Sequence, residues 1–207
     1  MDSVRLLLRI CWPMVFYGLL IDAASLLFRN LGGLACTFIG AAAAIPFLWK
    51  AYGGEKNREQ RLSLRDGLMC VFGGIAACVL VNTLIRVSGI AGIFTGFSQV
   101  SEQFYRPPLW LQVCAMGVGI PLAEELVFRG LVFGTVRKNR SFGQAAVMSA
   151  LLFGIYHGNV LQGAYGFFMG ILLAWVMERR RTISAPVLMH MSANMTSVVM
   201  TLAWSMR

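Results

Sequence analysis

The chain has 207 residues, of which 57% are hydrophobic and 13% are charged. Soluble domains carry about 25% charged residues, so this composition excludes an ordinary soluble protein and predicts an integral membrane protein. Lys and Arg outnumber Asp and Glu by 18 to 9. We attribute this excess to loops that face anionic lipid, and we expect no nucleic-acid partner.

Seven apolar segments follow one another along the chain, near residues 8–28, 31–50, 67–86, 109–136, 142–157, 161–177 and 184–204. About 20 apolar residues in a helix cross a bilayer. The sequence therefore predicts an all-α fold, a polytopic transmembrane helix bundle of about seven transmembrane helices in a single domain over residues 1–207. The first segment is too long for a signal peptide, and we expect it to be a retained span.

The connections between the segments predict the orientation in the membrane. Those after the second, fourth and sixth segments are basic, in residues 50–65, 137–140 and 179–181, and Arg5 and Arg9 precede the first segment. Under the positive-inside rule these connections face the cytoplasm. We therefore expect a multi-pass protein of the cell membrane with its N-terminus in the cytoplasm and its C-terminus outside.

Residues 88–108, between the third and fourth segments, are rich in glycine and aromatic residues and end in Pro107 and Pro108. This content indicates an interfacial or re-entrant connection before the fourth helix. Two interpretations remain open, a loop on the lipid surface with no further role and a cover over the mouth of a cavity.

The fourth segment contains two adjacent acidic residues, Glu124 and Glu125, followed by Arg129. Ionisable side chains within a bilayer cost several kcal/mol, so they need partners or a function. Glu125 and Arg129 are four residues apart and can pair on one helix face, which favours a structural role. Glu124 points about 100° away, so we expect it to face a different partner or a cavity. There it could accept a proton from water.

Both histidines of the chain also lie in apolar segments. His157 follows Phe153 by four residues, and His190 precedes Asn194 by four, a spacing that places each pair on one helix face. A single buried histidine is usually a packing residue, but two of them together with the glutamates favour a shared polar site. The amide of Asn194 would suit an oxyanion or a substrate carbonyl.

These motifs resemble those of a known family. Glu124-Glu125-x-x-x-Arg129, Phe153-x-x-x-His157 and His190-x-x-x-Asn194, in this order on successive helices, are similar to the three motifs of the CAAX protease and bacteriocin-processing family. These intramembrane endopeptidases include Rce1-like prenyl-protein proteases and abortive-infection-like proteins. The resemblance covers about residues 109–194, and we expect a catalytic core at residues 109–204.

The resemblance implies a role for each matched residue. Glu124 would activate a water with help from His157, while His190 and Asn194 would stabilise the oxyanion. Glu125, Arg129 and Phe153 would support the site. We expect no tightly bound structural metal, although Glu124, His157 and His190 would be the ligands if Zn²⁺ is bound. The expected substrate is a membrane-associated or amphipathic peptide, for example a bacteriocin leader.

Two other functions use the same residues, a catalytically silent membrane scaffold or immunity protein and a small proton-coupled transporter with a Glu–His relay. Helix position raises a further question for the enzyme. At 1.5 Å per residue, His190, Glu124 and His157 lie roughly 9, 18 and 24 Å from the cytoplasmic ends of straight helices. The enzyme therefore requires bent or displaced helices that bring these side chains together, and Pro121 is one place for a bend.

Overall fold

The computed structural model describes residues 3–53, 60–92 and 102–205, and these residues form helices and no strand. Seven long helices are present, α1 (Ser3–Leu27), α2 (Gly33–Gly53), α3 (Leu64–Ser88), α4 (Leu109–Arg137), α5 (Phe142–Tyr156), α6 (Val160–Arg180) and α7 (Ser184–Ser205). They match the seven predicted segments in order and position. The predicted all-α helix bundle is therefore confirmed.

Five of the helices, α1, α2, α3, α4 and α6, are long and apolar enough to cross a membrane. Helix α5 has 15 residues, about 22 Å, and is shorter than a hydrocarbon core of about 30 Å. Helix α7 has 22 residues but contains His190 and Asn194 among several serines and threonines. The protein is a multi-pass membrane protein in which α5 is shorter, and α7 more polar, than an ordinary span.

Helix α4 lies at the centre of the bundle. In its apolar stretch 78% of the residues are buried, against 17–39% in the other four spanning helices. It contacts α1, α2, α5 and α7. Ionisable side chains within a membrane span face the interior of the bundle, and the central position of α4 places the two glutamates and Arg129 in the middle of the protein.

Helix α4 is also irregular, with π-helical turns at Ala115–Gly119 and Leu126–Phe133. The Ile120 N–H donates to the Ala115 carbonyl in the first of these turns, and Pro121 has no N–H to offer. The Met116 carbonyl thereby loses both of the donors that an α-helix or a π-helix would supply. Proline thus frees a backbone acceptor about two turns before the glutamates.

Small residues allow close helix contacts, as the runs at residues 40–44 and 73–77 predict. A Cβ on Gly40 of α2 would lie 2.7 Å from the Ile21 Cα of α1, and one on Gly74 of α3 would overlap the Met189 carbonyl of α7. The five cysteines lie in helices α1 to α4 and are free thiols.

The basic connections meet at one end of the bundle. Arg137 of α4 binds Glu178 of α6 at 2.9 Å, and Arg180 binds Asp66 at the start of α3 at 2.6 Å. The Gln60 N–H donates to the Arg181 carbonyl at 3.0 Å. The arrangement agrees with one basic face of the protein. In the connection before α4, residues 93–101 lie outside the described residues, so the prediction for that loop stays a prediction.

Candidate active site

A buried ion pair joins two consecutive turns of α4. Nη1 of Arg129 donates to Oε1 of Glu125 at 3.1 Å, and both side chains are fully buried. The pair that the spacing of four predicts is therefore present. Oε2 of Glu125 and the Nε and Nη2 atoms of Arg129 have no hydrogen-bond partner among the described residues, so this contact and an aromatic ring hold the guanidinium.

That ring belongs to Phe153 of α5. The guanidinium carbon of Arg129 lies 4.4 Å from the ring centroid, in cation–π geometry. The edges of two imidazoles meet the same ring, with centroids 4.8 Å away for His157 and 5.8 Å for His190. Phe153 is buried and is the contact shared by the cation of α4 and the histidines at the end of α5 and on α7.

His190 lies between the two glutamates. Its Nδ1 is 2.8 Å from Oε1 of Glu125, and its Nε2 is 3.7 Å from Oε2 of Glu124. The expectation that adjacent glutamates must face different partners is therefore wrong, because an imidazole has a nitrogen on each of two edges. An ionised carboxylate only accepts, so Nδ1 carries the hydrogen and donates it to Glu125.

The two glutamates differ in the exposure of their side chains to solvent. The side chain of Glu125 is 0% exposed and that of Glu124 is 11% exposed. Glu124 has no Lys or Arg partner in the described part of the chain, and its ion-pair contact is Nε2 of His190 at 3.7 Å. A water molecule can therefore reach Glu124, whereas Glu125 is enclosed by Arg129 and His190.

His157 caps the C-terminal end of α5 and is half-buried. Its Nδ1 lies 2.8 Å from the Phe153 carbonyl, which can only accept, so Nε2 is left with a lone pair. Gly166 of α6 makes room for the ring, since a Cβ there would lie 3.3 Å from it. Among the described residues His157 makes no hydrogen bond to Glu124, although it lies within electrostatic range of that carboxylate.

Asn194 lies one turn beyond His190 on α7. Its Nδ2 donates to the Met116 carbonyl at 3.0 Å, the acceptor that Pro121 leaves without a backbone donor. An amide nitrogen carries two hydrogens. One is used to hold α7 against α4, and the other is available to a ligand.

The structure thus brings Glu124, Glu125, Arg129 and His190 together around Phe153, with His157 on the same ring and Asn194 one turn away. Straight helices would place His190 of α7 at a different depth in the membrane from the glutamates, and the structure differs from that expectation. Thr182 and Ile183, just before this helix, are both buried. His190 reaches the glutamates, since its Nδ1 lies 2.8 Å from Oε1 of Glu125.

The predicted zinc ligands do not form a metal-binding group. No set of three His, Cys, Asp or Glu side chains in the residues described here is close enough to hold an ion. Nδ1 of His190 is bonded to Glu125, and that of His157 is bonded to a backbone carbonyl. Metal-binding histidines also make such bonds, so the separation of the three side chains, and not their hydrogen bonds, is what differs from a three-ligand zinc centre.

Sequence reasoning did not identify Tyr17 of α1, whose buried ring stacks on Tyr156 beside this site. Its position in the sequence is unusual, because tyrosines of membrane helices are concentrated near the membrane interfaces. Tyr17 lies instead near the middle of an apolar span.

Comparison with known proteins identifies similar membrane proteins. Residues 106–196 match the family described as "Type II CAAX prenyl endopeptidase Rce1-like". The chain is 26% identical to "Putative membrane peptidase YdiL" of Bacillus subtilis (strain 168), over 78% of this chain and 83% of that protein. It is 25% identical to "UPF0177 protein YxdF" of Lactococcus lactis subsp. lactis (strain IL1403), over 60% and 70% of the two chains. No solved structure matches. These findings confirm the resemblance and support a membrane protease at the level of the family.

Proposed function

Because residues 106–196 are Rce1-like, we propose that this protein is an intramembrane endopeptidase that hydrolyses a membrane-associated or amphipathic peptide with an activated water. The observation that carries this proposal is the different environment of the two glutamates. Glu125 is fixed by Arg129 and His190, while Glu124 is the carboxylate that retains exposure. A general base needs access to water and a free lone pair, and Glu124 has both.

The proposed reaction begins when Glu124 takes a proton from a water molecule. The water oxygen bonds to the scissile carbonyl carbon, and the carbonyl π electrons move onto its oxygen. The intermediate then breaks its C–N bond, and Glu124 returns the proton to the leaving amine. His157, whose Nε2 has a free lone pair, would assist by orienting the water.

The oxyanion requires donors, and α7 supplies them in this proposal. Asn194 has one N–H beyond the bond to Met116. His190 would become a second donor, through Nε2, in its protonated form. Removing one such donor costs about 10²-fold to 10³-fold in kcat in other hydrolases.

No step in this reaction uses a metal, and we propose that the enzyme depends on glutamate. The test is to incubate purified protein with a library of amphipathic peptides, with and without EDTA, and to identify products by mass spectrometry. Wild type should cleave in both conditions, whereas Glu124→Ala should not. Equal cleavage by wild type and Glu124→Ala would refute the base, and absence of cleavage by either would favour a silent scaffold.

We also propose that the basic end of the bundle faces the cytoplasm, because the basic connections lie together there and the positive-inside rule applies. The C-terminus would then be outside. A reporter that is active only outside the cytoplasm, fused after residue 207, should be active. An inactive reporter, together with an active one fused at the N-terminus, would reverse the orientation.

A further inference from the structure

Tyr17 lies on the one face of α1 that packs into the bundle. Ile10, Pro13, Tyr17 and Ala24 are buried, and their spacing of three, four and seven residues places them on one helical stripe. The other three members of the stripe are apolar. Tyr17 is 0% exposed, so its hydroxyl is the polar group that this face carries into the protein.

The hydroxyl of Tyr17 has no hydrogen-bond partner among the described residues. Buried tyrosine hydroxyls usually find one, because an unpaired buried donor costs free energy. Tyr105 shows the usual case in this chain, with its hydroxyl 2.6 Å from the Ser197 hydroxyl. The unpaired group at Tyr17 therefore indicates a partner outside the described residues, and a bound water is the simplest such partner.

The residues around Tyr17 place that partner beside the candidate active site. Its ring stacks on Tyr156, with centroids 5.6 Å apart and planes 14° apart, and Tyr156 immediately precedes His157. Tyr156 in turn meets the edge of Phe128, three residues after Glu125. Both tyrosines lie within electrostatic range of the Glu124 carboxylate.

Distances along the helices give a second indication that Tyr17 lies near Glu124. Helices α1 and α4 both have an end at the basic side of the bundle, Ser3 and Arg137 respectively. At 1.5 Å per residue, Tyr17 lies about 21 Å from its end and Glu124 lies about 20 Å from its own. Tyr17 and Glu124 therefore lie at similar distances along their helices from the basic side of the bundle.

We propose that Tyr17 is a further catalytic residue, whose hydroxyl donates a hydrogen bond to the water that Glu124 deprotonates. This inference rests on the proposed function. A bound water needs two to four polar partners, and the Glu124 carboxylate accepts from it while Tyr17 donates to it. As the proton moves to Glu124, negative charge develops on the water oxygen, and the fixed donor stabilises that charge until the O–C bond forms.

The test is Tyr17→Phe, measured beside Tyr105→Phe as a matched control and Glu124→Ala as the loss of the base. Tyr17→Phe should lower kcat by about 10²-fold with little change in KM. Its thermal unfolding in detergent should be unchanged or slightly higher, because the variant removes an unpaired buried group. Tyr105→Phe should show the opposite pattern, wild-type kcat and a midpoint lower by about 2–4 °C.

Two results would overturn the role of Tyr17 while leaving the proposed function in place. One is wild-type kcat in Tyr17→Phe when Glu124→Ala is inactive. The other is a fall in the unfolding midpoint as large as that of Tyr105→Phe, because it would show that the hydroxyl already has a structural partner. Full activity of Glu124→Ala would instead refute the proposed function, and the role of Tyr17 with it.

Discussion

Replacing Arg129 by methionine removes the cation that neutralises a fully buried carboxylate. At the observed 3.1 Å separation, the attraction between Arg129 and Glu125 is about 5 kcal/mol at an effective dielectric constant of 20. Arg129 also lies over the Phe153 ring, a contact that contributes up to about 2 kcal/mol when desolvated. Desolvation of both ions opposes these attractions. Because breaking a buried ion pair costs about 3–5 kcal/mol, we expect Arg129→Met to lower the free energy of unfolding by that amount.

The chain offers a matched control for this prediction. Arg137 binds Glu178 at 2.9 Å, but their side chains are 41% and 33% exposed. Arg137→Met should therefore cost only about 0–1 kcal/mol. Equilibrium unfolding in mixed micelles of increasing SDS content measures the free energy of unfolding of both variants. We expect a large decrease for Arg129→Met and a small one for Arg137→Met.

A second substitution tests the cause of the loss. Glu125→Gln in the Arg129→Met background removes the uncompensated charge and keeps an amide oxygen that accepts from His190. The double variant should recover part of the stability, with a coupling energy of about 1–3 kcal/mol. The reasoning would be refuted if Arg129→Met cost no more than Arg137→Met, or if the two changes were simply additive.

Three further predictions concern the surroundings of the site. Asn194→Ala should destabilise the protein by about 1–3 kcal/mol, since it leaves the buried Met116 carbonyl without a donor, and a loss below the error of a thermal melt would contradict this. Gly170→Ala should cost about 1–3 kcal/mol because its Cβ would lie 2.9 Å from Ala150. Gly143→Ala, with nothing within 4 Å, should be neutral or stabilising, and equal melting temperatures for the two would refute the packing argument. Treatment with EDTA followed by gel filtration should leave peptide cleavage unchanged, whereas loss of cleavage that Zn²⁺ restores would establish a metalloenzyme.

Much of the fold could be predicted from the sequence because a bilayer imposes a simple rule. Each span needs about 20 apolar residues, so the seven segments were visible, and a spacing of four residues predicted the pair of Glu125 and Arg129. The family motifs likewise pointed to a cluster of Glu124, His157 and His190. These are local patterns, and they do not depend on how the helices pack.

The parts that could not be predicted depend on contacts between distant segments. The contact of His190 with Glu125 depends on how α7 packs against α4, which a count of residues along α7 does not reveal. The placement of His190 between the glutamates depends on the orientation of one ring. The π-helical turn at Ala115–Gly119 lies where Pro121 and the Asn194 amide act on the same backbone, and these residues are far apart in the chain.

The most direct test of this account measures kcat and thermal stability together in Glu124→Gln and Glu125→Gln. If Glu124 is the base, Glu124→Gln should lose about 10²-fold to 10⁴-fold in kcat and melt within a few degrees of wild type. Glu125→Gln should melt well below wild type because the buried charge of Arg129 loses its partner. A Glu124→Gln variant that keeps wild-type kcat, or one whose only defect is a lowered melting temperature, would contradict the division of roles between the two glutamates.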